Sequence, residues 1–282
     1  MSKNTKFGAL YIVATPIGNL EDISKRGLMV LGEVHLCAAE NTKNSKKLLK
    51  KYNLSTPLVS YHKYSEESKL SFLISSLKSG KDVGLISDAG TPLISDPGYL
   101  LVNKALEEGI KVIPIPGPSS LIAALSVSGM PLDKFIFYGF PPKKRKALKT
   151  FLEKLAFSDK TSIIFETKLR ILGFLKALAE IDSKREIFIA REMTKLHESF
   201  YKGSVIEVID ELSSQNNALR GEFVLIIGSN KKTISEDFLS QEQEKVIQVL
   251  LKSMTKNEAI NLASKSFGMK RNSLYKLLLK EN

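Results

Sequence analysis

Short apolar runs alternate with helical stretches through the first 115 residues, and this alternation restricts the fold more than any other feature of the chain. Residues 10–13, 34–39, a short segment near Val59, 83–86 and 112–115 read as strands. Residues 22–31, 42–51, 66–79 and 99–108 read as helices between them, the first with Ile23, Leu28 and Leu31 on one side. Gly80 and Gly109 stand just past the last two helices, where a left-handed cap is wanted. A helix between each pair of strands supplies the length that a parallel crossover needs. The pattern therefore predicts an α/β fold built on a mainly parallel, helix-covered sheet.

Pro114, Pro116 and Pro118, with Gly117 among them, make a stiff connector, because residues before proline are held extended. A boundary is expected there, with one domain over 1–115 and a second over 116–230. Ser119 and Ser120 are placed to cap an apolar helix over 121–127. Beyond it, 135–138, 162–165, 187–190, 204–209 and 223–227 read as strands, and 146–155 and 169–178 as helices. Residues 205–212 fit a helix as well as a strand. The expectation is a second α/β domain with a more antiparallel sheet. A polar linker after Gly228 opens a third segment, 231–282. There Thr255 and Glu258 spell a capping box ahead of Ala259 and Ile260. Gly268 breaks the pattern, and Asn272 or Ser273 restarts it behind Lys270 and Arg271. Two short helices about a Gly turn resemble a helix-turn-helix; a helical hairpin docked on a neighbour fits as well.

Ligands of open α/β sheets sit at the carboxyl ends of the strands. Four loops fall there: 15–22, 40–43, 87–98 and 116–120. Loop 87–98 reads Ser-Asp-Ala-Gly-Thr-Pro-Leu-Ile-Ser-Asp-Pro-Gly. Gly90 permits close approach of backbone to a ligand, Pro92 and Pro97 stiffen the loop, and Asp88 and Asp96 supply acceptors. It holds no Cys, His or Lys, so it suits binding and positioning. The phosphate cradle of P-loop enzymes, the dinucleotide fingerprint and the serine-hydrolase elbow are all missing from the sequence. His35, His62 and His197 lack metal spacing, so no metal site is expected. Cys37 lies in an apolar run and reads as core.

The loops also carry a family pattern. The opening stretch 10–23, loop 87–98, Pro116-Gly117-Pro118, Gly139-Phe140-Pro141, the block 190–195 and the block 221–225 occur in one order. In these blocks the chain resembles the S-adenosylmethionine-dependent methyltransferases of the tetrapyrrole methylase fold. Within them it is similar to the branch that methylates small-subunit ribosomal RNA. Porphyrin-type members carry Gly-Pro-Gly-Asp where this chain has Pro16-Ile17-Gly18-Asn19, and a Gly-Gly-Asp-Pro-like block at residues 88–92. The resemblance implies two α/β domains enclosing S-adenosylmethionine. Pro16, Ile17, Gly18, Asn19, Asp88, Ala89, Gly90, Thr91, Asp96, Pro116, Gly117 and Pro118 would form one wall of the cofactor site. Gly139, Phe140, Phe165, Ala190 and Arg191 would form the other. It further implies a homodimer and 2′-O-methylation of a cytidine in the decoding region of 16S rRNA. Asn41, Lys43 and Leu169 depart from the Asp, Arg and His common at those positions.

A ribose hydroxyl is a poor nucleophile near neutral pH, so a base is wanted. Glu166 and Glu40 are the candidates, although an ion pair, with Arg170 or Lys43, accounts for either more simply. The formal net charge of +12 fits a polyanionic partner. Lys143, Lys144, Arg145, Lys146 and Arg170 are the expected RNA contacts, and His62, Tyr61 and Tyr64 are placed to stack on an unpaired base. Two other functions stay open: a non-catalytic nucleic-acid-binding protein, and a methyltransferase of a tetrapyrrole or another small molecule. No run is long enough to span a membrane, and 9–14 is too short for a secretory leader, so a cytoplasmic protein is expected.

Overall fold

The computed structural model describes residues 7–214, 221–230, 241–267, 269, 271–272 and 274–275. Strands β1 (Leu10–Val13), β2 (Leu36–Ala39), β3 (Leu58–Ser60), β4 (Val83–Ile86) and β5 (Val112–Ile115) form one sheet in the order β3-β2-β4-β1-β5. Every pairing in it is parallel, as the alternation predicts. Helices α1 (Lys25–Glu33) and α2 (Thr42–Lys51) go with one face, over Val13, Leu31, Cys37, Leu48, Ile86 and Ile115. Helices α3 (Glu66–Lys78) and α4 (Tyr99–Glu107) go with the other, over Leu10, Leu73, Leu77, Leu85 and Leu101. Leu85 and Ile86 point to opposite faces because side chains alternate along a strand. Cys37 is fully buried, and burial pushes its thiol up to about 12.

The first helix starts later than the sequence suggests. Residues 20–22 form a 3-10 turn, Ile23 is extended, and the Ser24 hydroxyl oxygen accepts the Gly27 N–H at 3.0 Å. That cap sets the start of α1 at Lys25. Val34 ends the same helix, so β2 begins at Leu36.

Helix α5 (Ser120–Ser128), capped by Ser119, leads into a second sheet. Its strands are β6 (Phe135–Phe137), β7 (Thr161–Thr167), β8 (Glu186–Arg191), β9 (Ser199–Ser204) and β10 (Glu222–Ile227), ordered β6-β7-β10-β8-β9. Only β6–β7 is parallel. Helices α6 (Arg145–Ala156), α7 (Ile171–Asp182) and α8 (Val205–Ser214) build a core with one face, and α5 packs on the other. The strand reading of 204–209 is overturned: Val205, Val208, Ile209 and Leu212 are buried at helical spacing. The strand lies before them, at Ser199–Ser204, where Tyr201 is buried between the exposed Phe200 and Lys202.

Helices α9 (Gln241–Ser253) and α10 (Lys256–Phe267) follow. The capping box forms as read, with the Glu258 carboxylate accepting from the Thr255 N–H at 3.0 Å and hydroxyl at 2.6 Å. Ile247, Ile260, Ala263 and Leu274 close a small core of their own. Gly268, Lys270, Ser273 and residues 276–279 of the helix-turn-helix reading lie outside the described residues.

Arg185 ties the second core together. It is buried, with Nε donating to Asp182 Oδ2 at 2.9 Å, Nη1 to the Gly228 carbonyl at 3.0 Å, and Nη2 to the Ala156 carbonyl. Arg185→Met strands these acceptors and is expected to cost about 1–3 kcal/mol, read as a lowered urea midpoint.

Candidate active site

A parallel sheet brings its strand ends to one edge, and here the loops after β1, β4 and β5 are bonded to one another. Thr15 and Gly90 exchange two backbone hydrogen bonds, each 2.9 Å. The Thr15 hydroxyl donates to the Ser87 carbonyl at 3.1 Å, and the Thr91 hydroxyl to the Pro118 carbonyl at 3.2 Å. A methyl group at Gly117 would stand 3.0 Å from Ala14 Cβ, so glycine is what lets the β5 loop lie against β1. Loop 87–98 is bent hard. Leu93 (φ 73°) and Ser95 (φ 70°) lie in the left-handed region, at a cost on the order of 1–3 kcal/mol each.

The second sheet faces these loops with the end of β7, the turn after β8 and the start of β10. Between them lies a cavity of about 570 Å³. The walls touch directly. Asn19 N–H donates to Thr194 Oγ1 at 3.0 Å, and a methyl group on Gly18 would meet Lys195 Cγ at 2.5 Å and the Met193 carbonyl at 2.8 Å.

Of the cofactor residues expected from the sequence, Ile17, Ala89, Gly90, Thr91, Asp96, Phe140 and Phe165 line this cavity, as does Glu166. Pro16, Gly18, Asn19, Asp88, Pro116, Gly117, Pro118, Gly139 and Ala190 are not among its lining residues. Arg191 is not a lining residue either; its Nη1 donates to the His197 carbonyl and to Ser199 Oγ, each at 3.2 Å. Sequence reasoning missed Ser119, Lys168, Glu192, Lys195 and Glu222 as lining groups. Glu192, Lys195 and Glu222 fall inside the blocks 190–195 and 221–225, so the signal lay beside the residues chosen.

Each of the two candidate bases is held by one backbone N–H. Glu166 is buried; its Oε1 accepts the Thr167 N–H at 2.8 Å, and Oε2 lies 3.4 Å from Arg170 Nη2 without a hydrogen bond. Burial raises its carboxyl against the pull of Thr167 and Arg170. Glu40 does not pair with Lys43: its Oε2 accepts the Asp88 N–H at 3.1 Å. Arg170 Nη2 also donates to the Pro141 and Pro142 carbonyls at 3.1 and 3.0 Å, so it braces a loop instead of facing solvent. Tyr61 is fully buried and unable to stack on a base, whereas Tyr64 is 93 % exposed. His62 lies outside the cavity, its Nδ1 accepting the Tyr64 N–H at 3.3 Å. Asp96 behaves differently from the other acids. Burial raises its carboxyl to about 6, Glu40 and Asp88 push the same way, and a hydrogen bond from Ser87 opposes them.

Residues 9–209 match the model of the Tetrapyrrole (Corrin/Porphyrin) Methylases. The chain is 41 % identical over 269 residues to Ribosomal RNA small subunit methyltransferase I of Haemophilus influenzae, with 95 % of each chain covered. It is 40 % identical over 282 residues to the protein of that name from Bacillus subtilis, covering 98 % of this chain and 96 % of the other. The chain belongs to the ribosomal RNA small subunit methyltransferase I family. The fold is that of the tetrapyrrole methylases. The methyltransferase CobJ superposes with a TM-score of 0.58 at 16 % identity, covering 79 % of this chain and 94 % of the other. Uroporphyrin-III C-methyltransferase from Thermus thermophilus, complexed with S-adenosylhomocysteine, superposes at 0.54 and 17 %, covering 78 % and 97 %.

Gly18→Val drives a side chain into backbone and is expected to weaken binding of S-adenosylhomocysteine by about tenfold or more, measured by calorimetry. Folded Asp96 holds its proton more tightly than the unfolded chain does. Stability therefore falls as pH rises from the ordinary 3.8 to about 6, and stays lower above it. Asp96→Asn removes that loss, so its Tm should exceed the parent's at about pH 7.5 and match it near pH 4.

Proposed function

We propose that the chain transfers a methyl group from S-adenosylmethionine to the ribose 2′-hydroxyl of a cytidine in the decoding region of 16S rRNA. The observation that carries this reading is its near-full-length similarity to relatives named for the small ribosomal subunit. The methyl donor is S-adenosylmethionine, which supplies a methyl carbon activated by a sulfonium. The cavity suits it in size. Ile17, Phe140, Phe165 and Met193 offer apolar surface there, and Glu166 Oε2 is a buried acceptor lacking a donor. Glu166 Oε2 would accept from a hydroxyl or ammonium group of the cofactor.

RNA is gripped beside the cavity. Lys143, Lys144, Arg145 and Lys146 are exposed, and among the described residues none forms an ion pair. Arg145 and Lys146 open α6, which has no side-chain cap, so helix dipole and side chains both attract phosphate. Phe140, three residues before Lys143, lines the cavity, and Arg170 fixes the turn between them. His62 and Tyr64 stand after β3, on a loop tied to the pocket because Glu66 Oε1 accepts the Gly98 N–H at 2.8 Å. They suit stacking on an unpaired base.

Two α/β domains, over 1–115 and 116–230, close on the cofactor, and the enzyme acts in the cytoplasm as a homodimer. Ile122, Val127, Phe135 and Phe200 leave apolar surface exposed on the α5 side of the second sheet, which supports pairing with a second copy. Among the described residues no helix is long and apolar enough to cross a membrane.

With labelled S-adenosylmethionine and unmethylated small subunits, the label is expected at one alkali-resistant cytidine. Label in a tetrapyrrole precursor instead would overturn the RNA reading. Replacing Lys143, Lys144, Arg145 and Lys146 together by Ala should weaken RNA binding and reduce the slope of log K against log salt by about 3, measured by filter binding.

A further inference from the structure

Four carboxylates line the cavity: Asp96, Glu166, Glu192 and Glu222. Three have a cation beside them. Glu166 faces Arg170 at 3.4 Å, and Glu192 Oε1 and Glu222 Oε2 share the Lys195 ammonium at 3.0 and 2.9 Å. Among the described residues no cation pairs with Asp96. The strained residues Leu93 and Ser95 lie just before it, and Ile94, Ser95 and Asp96 all border the cavity. Backbone strain kept beside a cavity points to a side chain that must be aimed.

We propose that Asp96 accepts the proton of the attacking hydroxyl during methyl transfer. This rests on the methyl-transfer reading above and replaces Glu166 and Glu40 in the role of base. The hydroxyl oxygen bonds to the methyl carbon, and the carbon–sulfur bond breaks with its electron pair left on sulfur. The hydroxyl proton passes to a carboxylate oxygen of Asp96, which returns it to water. A base that titrates near the working pH is suited to this task, and the raised carboxyl of Asp96 meets that condition. Burial sets its titration first, with Ser87 in its own loop, Glu40 after β2 and Asp88 in its own loop acting on it. Glu166, Lys168, Glu192, Lys195 and Glu222 face it from the other wall.

The test compares full-length wild type with Asp96→Asn and Asp96→Glu on small-subunit rRNA across pH. Wild-type kcat/KM should rise with pH through about 6. Asp96→Asn should lose about a hundredfold or more in kcat and lose that acidic limb. Its affinity for S-adenosylhomocysteine, measured by calorimetry, should stay within about threefold, less than half the tenfold worth 1.4 kcal/mol. Asp96→Glu should recover part of the rate and keep the limb, which also covers the case of an Asn variant that misfolds. An acidic limb that survives in Asp96→Asn overturns the proposal. So does a fall in cofactor affinity that matches the fall in rate, because Asp96 would then be a cofactor ligand. A wild type that methylates no RNA sinks the functional reading and this proposal with it; a wild type that does, beside an unimpaired Asn variant, sinks the proposal alone.

Discussion

Two hydrogen bonds between the backbones of Thr15 and Gly90 hold the site together. They join the loop after β1 to the loop after β4, and Thr91 carries the connection on to the loop after β5. These three strands are neighbours in the sheet, in the order β4-β1-β5, so their loops emerge side by side. Buried loop backbone needs partners, and here the loops satisfy one another. That mutual bonding is what keeps Gly90, Thr91 and Ile17 on one surface of the cavity.

The opposite wall is held by charge. Lys195 spans Glu192 and Glu222, and the Glu192 carboxylate also accepts the Glu222 N–H at 2.9 Å. Gly221 is needed there: a methyl group on it would stand 2.4 Å from Glu192 Cγ. Arg170 performs the same service on β7, joining Glu166 to the turn that precedes the basic residues. Lys195 and Arg170 of this wall are occupied with neighbouring carboxylates, and the remaining acid, Asp96, pairs with no cation among the described residues. A group kept ionisable in this way costs stability above its pKa, the usual trade between a prepared site and a stable one.

Much of the first sheet was legible because each strand there is a short apolar run followed by a helix with clear end signals. Gly80 and Gly109 take the left-handed conformations expected of them, with φ of 86° and 71°. The second half was harder to read. β9 alternates buried Tyr201 with exposed neighbours over a stretch with few apolar residues, and the apolar spacing of α8 also resembles a strand. In the site, the loops were legible as loops. The roles of their side chains were not: Glu166, at the end of β7, and Asp96, in the loop after β4, are both acids at strand ends, and only the fold shows that Arg170 stands beside the first.

The sequence by itself determined the parallel α/β pattern, the glycine and proline turns at the strand ends, and the family to which those turns belong. These follow from local periodicity and from backbone conformations that few residues adopt. The tertiary structure alone decided that Tyr61 is core, that Arg170 is a brace, that Lys195 serves two carboxylates, and that Asp96 is left without a cation. Each of these depends on which residue distant in sequence comes within a few ångströms. That distance sets desolvation and Coulomb attraction, and hence which carboxylate stays free to take a proton.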